Sequence, residues 1–179
     1  KTEIREGSVV LGADVSAFGR NLTVASGALA DCSAAGLEIE SLTLEDGAAI
    51  KVDLGKPIVI ADNGSLELGG EITVYVDGMT GGNFTLFETD EALSADDLAK
   101  IKIVNNENDY YYSLVIDGNA VKLDVLYHPA ADVSWKAENS GEWNTADNWE
   151  GGAPYPNDTA IFGNSAAVKD VVVSSVERV

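Results

Sequence analysis

Apolar and polar residues alternate along most of this chain, and that period of two constrains the fold more than any single motif. Leu42 and Leu44, then Ile50, Val52 and Leu54, then Ile58 and Ile60 stand between polar neighbours. Leu66 and Leu68, Ile72, Val74 and Val76, Phe84 and Leu86, Leu114 and Ile116, and Val121, Leu123 and Val125 continue the pattern. Successive side chains of a strand point to opposite faces, so each such run reads as a half-buried strand with its apolar set turned inward. Similar turns separate the runs: Ser26-Gly27-Ala28, Asp46-Gly47-Ala48, Asn63-Gly64-Ser65 and Asp117-Gly118-Asn119. The strands recur at a loose cadence, with 24 residues from Leu42 to Leu66 and 22 from Ile50 to Ile72. Coils of about 20–25 residues with three short strands each are the signature of a stacked architecture. The expected fold is all-β, a right-handed parallel β-solenoid (β-helix). Asn-Gly and Asp-Gly turns also suit hairpins, so an antiparallel β-sandwich is the alternative.

Two stretches break the cadence. Ser94 followed by Asp96 and Asp97 has the form of a helix N-cap with acids in the first turn, which predicts a short helix over residues 96–100. Strands are expected to resume at residues 101–104. His128-Pro129-Ala130-Ala131-Asp132 interrupts the strand pattern and marks the internal boundary. The expected division is a β-solenoid over 1–128, then a Trp-rich connector and the start of a further β unit over 129–179.

Composition excludes several classes. The net charge is −19 over 179 residues, so the surface repels nucleic acid and anionic lipid. No apolar run approaches the ~18 residues of a membrane span. Cys32 stands alone, which rules out an intrachain disulfide and reads as a small residue near the core. The single histidine, His128, reads as an exposed turn residue. Lys1 is not an initiator methionine, and the run at residues 166–179 ends without a cap. The chain is therefore expected to be processed or part of a longer product, meeting like subunits or its own remainder end to end.

All three tryptophans fall within one short stretch, Trp135, Trp143 and Trp149, among Gly, Asn, Asp and Pro. The sequence from Tyr110 to Phe162 combines a Tyr-rich strand, an Asp-Gly turn and a Trp…Gly-x-Trp…Asn-Trp…Pro…Asp-x-Ala-x-Phe element. The sequence from Gly64 to Glu88 adds a Gly-rich alternation ending in an aromatic-x-Leu-Phe strand. In these two stretches the chain resembles the passenger region of bacterial autotransporter-like β-helix proteins. That resemblance implies secretion, exposure on a Gram-negative-type cell and a β-helical stalk. It implies no particular activity.

Candidate chemistry is sparse. Indole rings stack on sugar faces, and Asn144, Asp147 and Asn148 beside Trp135, Trp143 and Trp149 would bond hydroxyls, so a carbohydrate-binding module for host or matrix glycans is the second reading. The first is packing, with at least two indoles buried against Pro154, Tyr155 or Phe162. Glu38 with Glu40 and Asp96 with Asp97 are paired carboxylates, but a glycan-processing enzyme needs such a pair across a cleft. Adjacency on a strand or in a helical turn gives a solvated face. No cofactor is expected; Asn105–Asp109 and Asp62 with Asn63 offer turn oxygens for no more than a weak surface calcium. Four Asn-x-Ser/Thr matches, at Asn21, Asn63, Asn83 and Asn157, read as chance in a Thr- and Asn-rich β chain. The expected function is a structural extracellular scaffold or stalk, adhesive or filament-forming, without enzymatic activity.

Overall fold

The structure is a computed structural model and describes residues 1–12, 20–34, 36–105, 109–136, 140–163 and 171–172. Among the described residues the strands follow in order: β1 (Thr2–Ile4), β2 (Ser8–Val10), β3 (Asn21–Val24), β4 (Leu29–Asp31), β5 (Leu37–Leu44), β6 (Ala49–Asp53), β7 (Ile58–Leu68), β8 (Ile72–Asp77), β9 (Gly82–Glu88), β10 (Ile101–Val104), β11 (Tyr110–Asp117), β12 (Ala120–Tyr127), β13 (Asp132–Ser134), β14 (Gly141–Glu142), β15 (Thr159–Ile161) and β16 (Val171–Val172). One short helix, α1 (Ala95–Ala99), lies between β9 and β10. The chain forms two compact units, Lys1–Glu107 with Tyr112–Leu126, and Asn108–Tyr111 with Tyr127–Val179.

The first unit is a β-solenoid. Odd-numbered strands stack in parallel as β1-β3-β5-β7-β9, and even-numbered ones as β10-β8-β6-β4-β2. From β1 to β10, consecutive strands therefore belong to different sheets, and each pairs with its counterpart one coil away. This topology removes the sandwich alternative, whose neighbours in sequence pair antiparallel through hairpins. The coil length is set by register: Leu22 pairs with Leu42, an offset of 20 residues; Leu42 with Leu66, 24; Ile72 with Ile101, 29. Ile50 pairs with Val74 rather than Ile72. The 22-residue spacing in the sequence was thus two short, an even error that leaves the same side chains inward.

Three strand faces per coil arise in the middle of the stack because β5 and β7 bend. Leu37–Ile39 pairs with Ile58–Ile60, then the register shifts, and Ser41–Leu44 pairs with Ser65–Leu68. The shift absorbs one residue on β5, Glu40, and four on β7, residues 61–64. Asn63 takes a left-handed φ of 62° at this bend. Gly64 does not, yet it is crowded: a Cβ there would lie 2.7 Å from both the Ala61 carbonyl oxygen and Ile60 Cγ2, and closer still to the Glu40 carbonyl oxygen. Gly27 and Gly47 serve differently. They have φ of 73° and 76°, and the turns stack, with Gly27 N–H donating to the Gly47 carbonyl at 3.0 Å. Positive φ costs glycine nothing and other residues much.

Inside the coils, in-register columns of apolar side chains form the core. Leu42, Leu44, Ile50, Val52, Ile72, Val74, Leu123 and Val125 are buried as the alternation requires. Leu66 and Leu68 are only half-buried. The reason is that β9 meets β7 only at Ile58 and Val59, so no further strand covers the lower half of β7. The α1 excursion lies in the stretch between β9 and β10. Ser94 caps it, accepting from Asp97 N while the Asp97 carboxylate accepts from Ser94 N. Lys100 Nζ then donates to the Leu68 carbonyl at 3.2 Å. The last odd-sheet strand, β9, pairs antiparallel with β12, and β11 lies beside β12 at the sheet edge. An antiparallel strand ends a parallel ladder, because a coil following the same path cannot match it.

The second unit repeats the parallel principle. Asp132 pairs with Thr159 and Gly141 with Val171, both parallel, at offsets of 27 and 30 residues. Only residues 171–172 of the expected strand run at 166–179 lie within the described residues.

Candidate functional site

Two side-chain clusters distinguish the second unit. The tryptophans form the first. Trp149 has no exposed surface and Trp135 is 6% exposed, while Trp143 is partly buried against them. A backbone bridge joins residues 135 and 149, and the amides of Lys136 and Glu150 donate to the carbonyls of Asn148 and Ser134, both at 2.9 Å. The chain between them folds back through a 3₁₀ turn at Ala146–Asn148. Trp135 and Trp143 meet Trp149 at 4.9 Å between ring centres, with ring planes 87° and 69° apart. Phe162 packs on both Trp135 and Trp149. Trp149 Nε1 donates to the Trp143 carbonyl at 2.8 Å, which satisfies its one donor without water. Val133, Ala153 and Ala160 complete this core.

These indoles are edge to face, so the three faces form no common plane on which a sugar ring could lie. Of the polar residues beside them, Asn148 is committed to structure: its Nδ2 donates to the Glu142 carbonyl at 2.9 Å. That contact needs a glycine next door, since a Cβ at Gly141 would sit 2.7 Å from the same nitrogen. Asn144 and Asp147 are exposed on the intervening loop. Phe162 is the packing partner the sequence anticipated; Tyr155 belongs to the second cluster.

That second cluster centres on Asp158, whose side chain is 1% exposed. Its carboxylate accepts from Ala131 N and Tyr155 N, each at 2.8 Å, and from His128 Nε2, 3.0 Å from both oxygens. An ionised carboxylate can only accept, so the proton sits on Nε2. The His128 ring stacks on Tyr155 at 4.1 Å, and Tyr155 packs on Tyr111 at 4.7 Å. Asn157 closes the group: its N–H and Oδ1 both meet the Tyr111 hydroxyl, and its Nδ2 donates to the His128 carbonyl at 3.3 Å. Burial opposes the Asp158 charge, but the Tyr155 and Ala131 amides and the His128 ring outweigh it and hold its pKa below the ordinary value. His128 is therefore not the exposed turn residue expected from its solitary place beside Pro129. Asp158 gave no sign of itself in the sequence beyond a Pro-Asn-Asp-Thr turn.

The carboxylate pairs belong to the first unit. Glu38 is exposed on β5, and Glu40 sits at the bend in an ion pair with Arg20 at 3.0 Å. Glu38, Glu88 and Asp90 line an open groove of about 570 Å³ beside Val59 and Asn119. Asp90 is occupied there, accepting from Asn63 N at 3.1 Å. Asp96 is exposed, and the hydrogen bonds of Ser94 and Lys100 bring the Asp97 carboxyl down to about 2. Cys32 is buried, and burial pushes its thiol up to about 12. For the turn oxygens proposed for calcium, residues 106–108 and the Asp62 side chain lie outside the described residues. Among the described residues, no three His, Cys, Asp or Glu side chains converge as metal ligands, and no helix is long and apolar enough to cross a membrane. No family model matches the chain, and neither a curated protein nor a solved structure is measurably similar to it.

Proposed function

We propose that this chain is a structural segment: a rigid extracellular scaffold or stalk, of the autotransporter-like type, on the surface of a Gram-negative-type bacterium. One observation carries the reading. The parallel stacking that builds the first unit restarts in the second, where residues 132 and 159, and 141 and 171, pair one coil apart. A chain that keeps adding parallel coils gains backbone ladders and a continuous core with each addition, which suits length and stiffness rather than a single reaction centre. The acidic surface supports the same reading, since dispersed like charge keeps exposed strand faces soluble and opposes lateral clumping. Its partners are then further coils, from like subunits or the remainder of a longer chain, joined end to end in adhesion or assembly.

The test is location and contact. Antibodies raised against this chain should label intact producing cells, and brief protease treatment of those cells should remove the label. A chain found only inside the cell would refute the reading. A glycan array offers the competing outcome: saturable binding abolished by Trp143→Ala, with the fold intact, would replace the scaffold with a carbohydrate-binding module.

A further inference from the structure

One carboxylate of the second unit, Asp158, is buried and ties separate parts of the chain together. Asp158 gathers three donors from separate points of the chain: the ring of His128, the amide of Ala131, and the amide of Tyr155 in its own turn. Asn157, its neighbour, binds the Tyr111 hydroxyl at the start of β11 and the His128 carbonyl. The 155–158 turn is thereby fixed to residues 109–111 and 128–131, and the same turn leads directly into β15, whose Ala160 packs on the tryptophan core. The titratable groups facing the carboxylate are His128 from the segment after β12 and Tyr155 from its own turn; Tyr111 from β11 stacks behind them.

We infer that Asp158 is an acid-sensitive latch, whose ionised carboxylate keeps the second unit folded and whose protonation releases that unit while the solenoid of the first unit stays intact. A protonated carboxyl keeps one good acceptor and gains a donor, so at least one of the two amides or the ring is left facing an unsuitable partner without water. The sign follows from linkage. A carboxylate whose folded pKa lies below its unfolded value, about 3.9, stabilises the fold above that value, and the contribution is lost as pH falls through the folded pKa. The first unit also has carboxyls held below their ordinary pKa, at Glu3, Asp31, Asp97 and Asp117, but their side chains keep between 17% and 67% of their surface in solvent, where water replaces a lost partner, and the core of that unit is apolar.

The molecule carries its own reporter, because Trp135, Trp143 and Trp149 all lie in the second unit. Tryptophan emission therefore reads that unit alone, whereas far-UV circular dichroism reads mostly the strands of the first. On acid titration of the full 179-residue chain, the emission should shift red at a higher pH than the dichroism is lost. Coincident transitions would overturn the inference. Asp158→Asn should abolish the separate emission step, leaving emission either already red-shifted at pH 7 or insensitive to acid until the dichroism fails. An Asp158→Asn chain that keeps the wild-type emission step would also overturn it.

Discussion

Two glycines in the solenoid separate the two reasons a coil needs that residue, and replacing each with alanine measures them. Gly27 sits at φ 73° with nothing within 4 Å of an added Cβ. Gly27→Ala is therefore a conformational cost alone, about 1–2 kcal/mol for a left-handed residue with a side chain. Gly64 is the reverse case. Its φ is unremarkable for any residue, but an added Cβ would stand 2.7 Å from the Ala61 oxygen and Ile60 Cγ2, with the Glu40 oxygen nearer still. Two of those three atoms are backbone, and Glu40 belongs to the neighbouring coil, so relief requires moving strands rather than turning a side chain. Gly64→Ala should cost about 3 kcal/mol, the upper end of overpacking in a dense interior. With a urea dependence of ~1–3 kcal/mol per molar, that is a midpoint shift of about 1–3 M, against about one to two thirds of that for Gly27→Ala on the same slope. Far-UV dichroism is the right probe, because the indoles all report the other unit. Equal losses in the two variants, or a smaller loss for Gly64→Ala, would refute the claim that contact across the bend fixes the offset between coils.

Trp149→Ala should cost about 3–5 kcal/mol in the second unit, read as loss of its acid or urea fluorescence transition, since it removes a fully buried indole and the partner of the Trp143 carbonyl. Leu42→Ala should cost about 2–5 kcal/mol, and Leu66→Ala clearly less in the same urea melt, because Leu66 has no strand over it. Cys32 should react with a thiol-specific chromogenic reagent at pH 8 only as fast as the coil opens, its thiol being buried and its pKa near 12; prompt labelling in native buffer would contradict the burial.

Alternation was enough to place most of the core. Once Ile50, Val52, Ile72 and Val74 face one way, a parallel stack and a sandwich bury them alike, and only the recurrence of the strands favoured stacking. That recurrence was read correctly at Leu42 and Leu66, which pair as their spacing implied. It failed by two residues at Ile50 because Ile72, Val74 and Val76 share one face, and alternation does not say which of them stands opposite Ile50. The half-exposure of Leu66 and Leu68 was not legible either. It depends on where the next strand stops, which alternation within one strand cannot encode.

The second unit shows a different boundary of local reasoning. The tryptophans announced a packed element because three large rings among turn residues have few other uses, and their edge-to-face contacts follow from ring electrostatics once the chain folds back. His128 announced nothing. Its role rests on Asp158, 30 residues away, and on two backbone amides that any sequence would supply. A lone histidine beside a proline is ordinary as a string of letters. It becomes a half-buried partner of Asp158 only because a parallel coil of 27 residues brings the 155–158 turn back beside residues 128–131, so its environment is set by coil length rather than by its neighbours. In a stacked fold, then, the sequence positions worth comparing are those one coil apart. Setting Asp132 against Thr159 places Asp158 opposite Ala131 and Tyr155 opposite His128, the same residues that meet around the carboxylate.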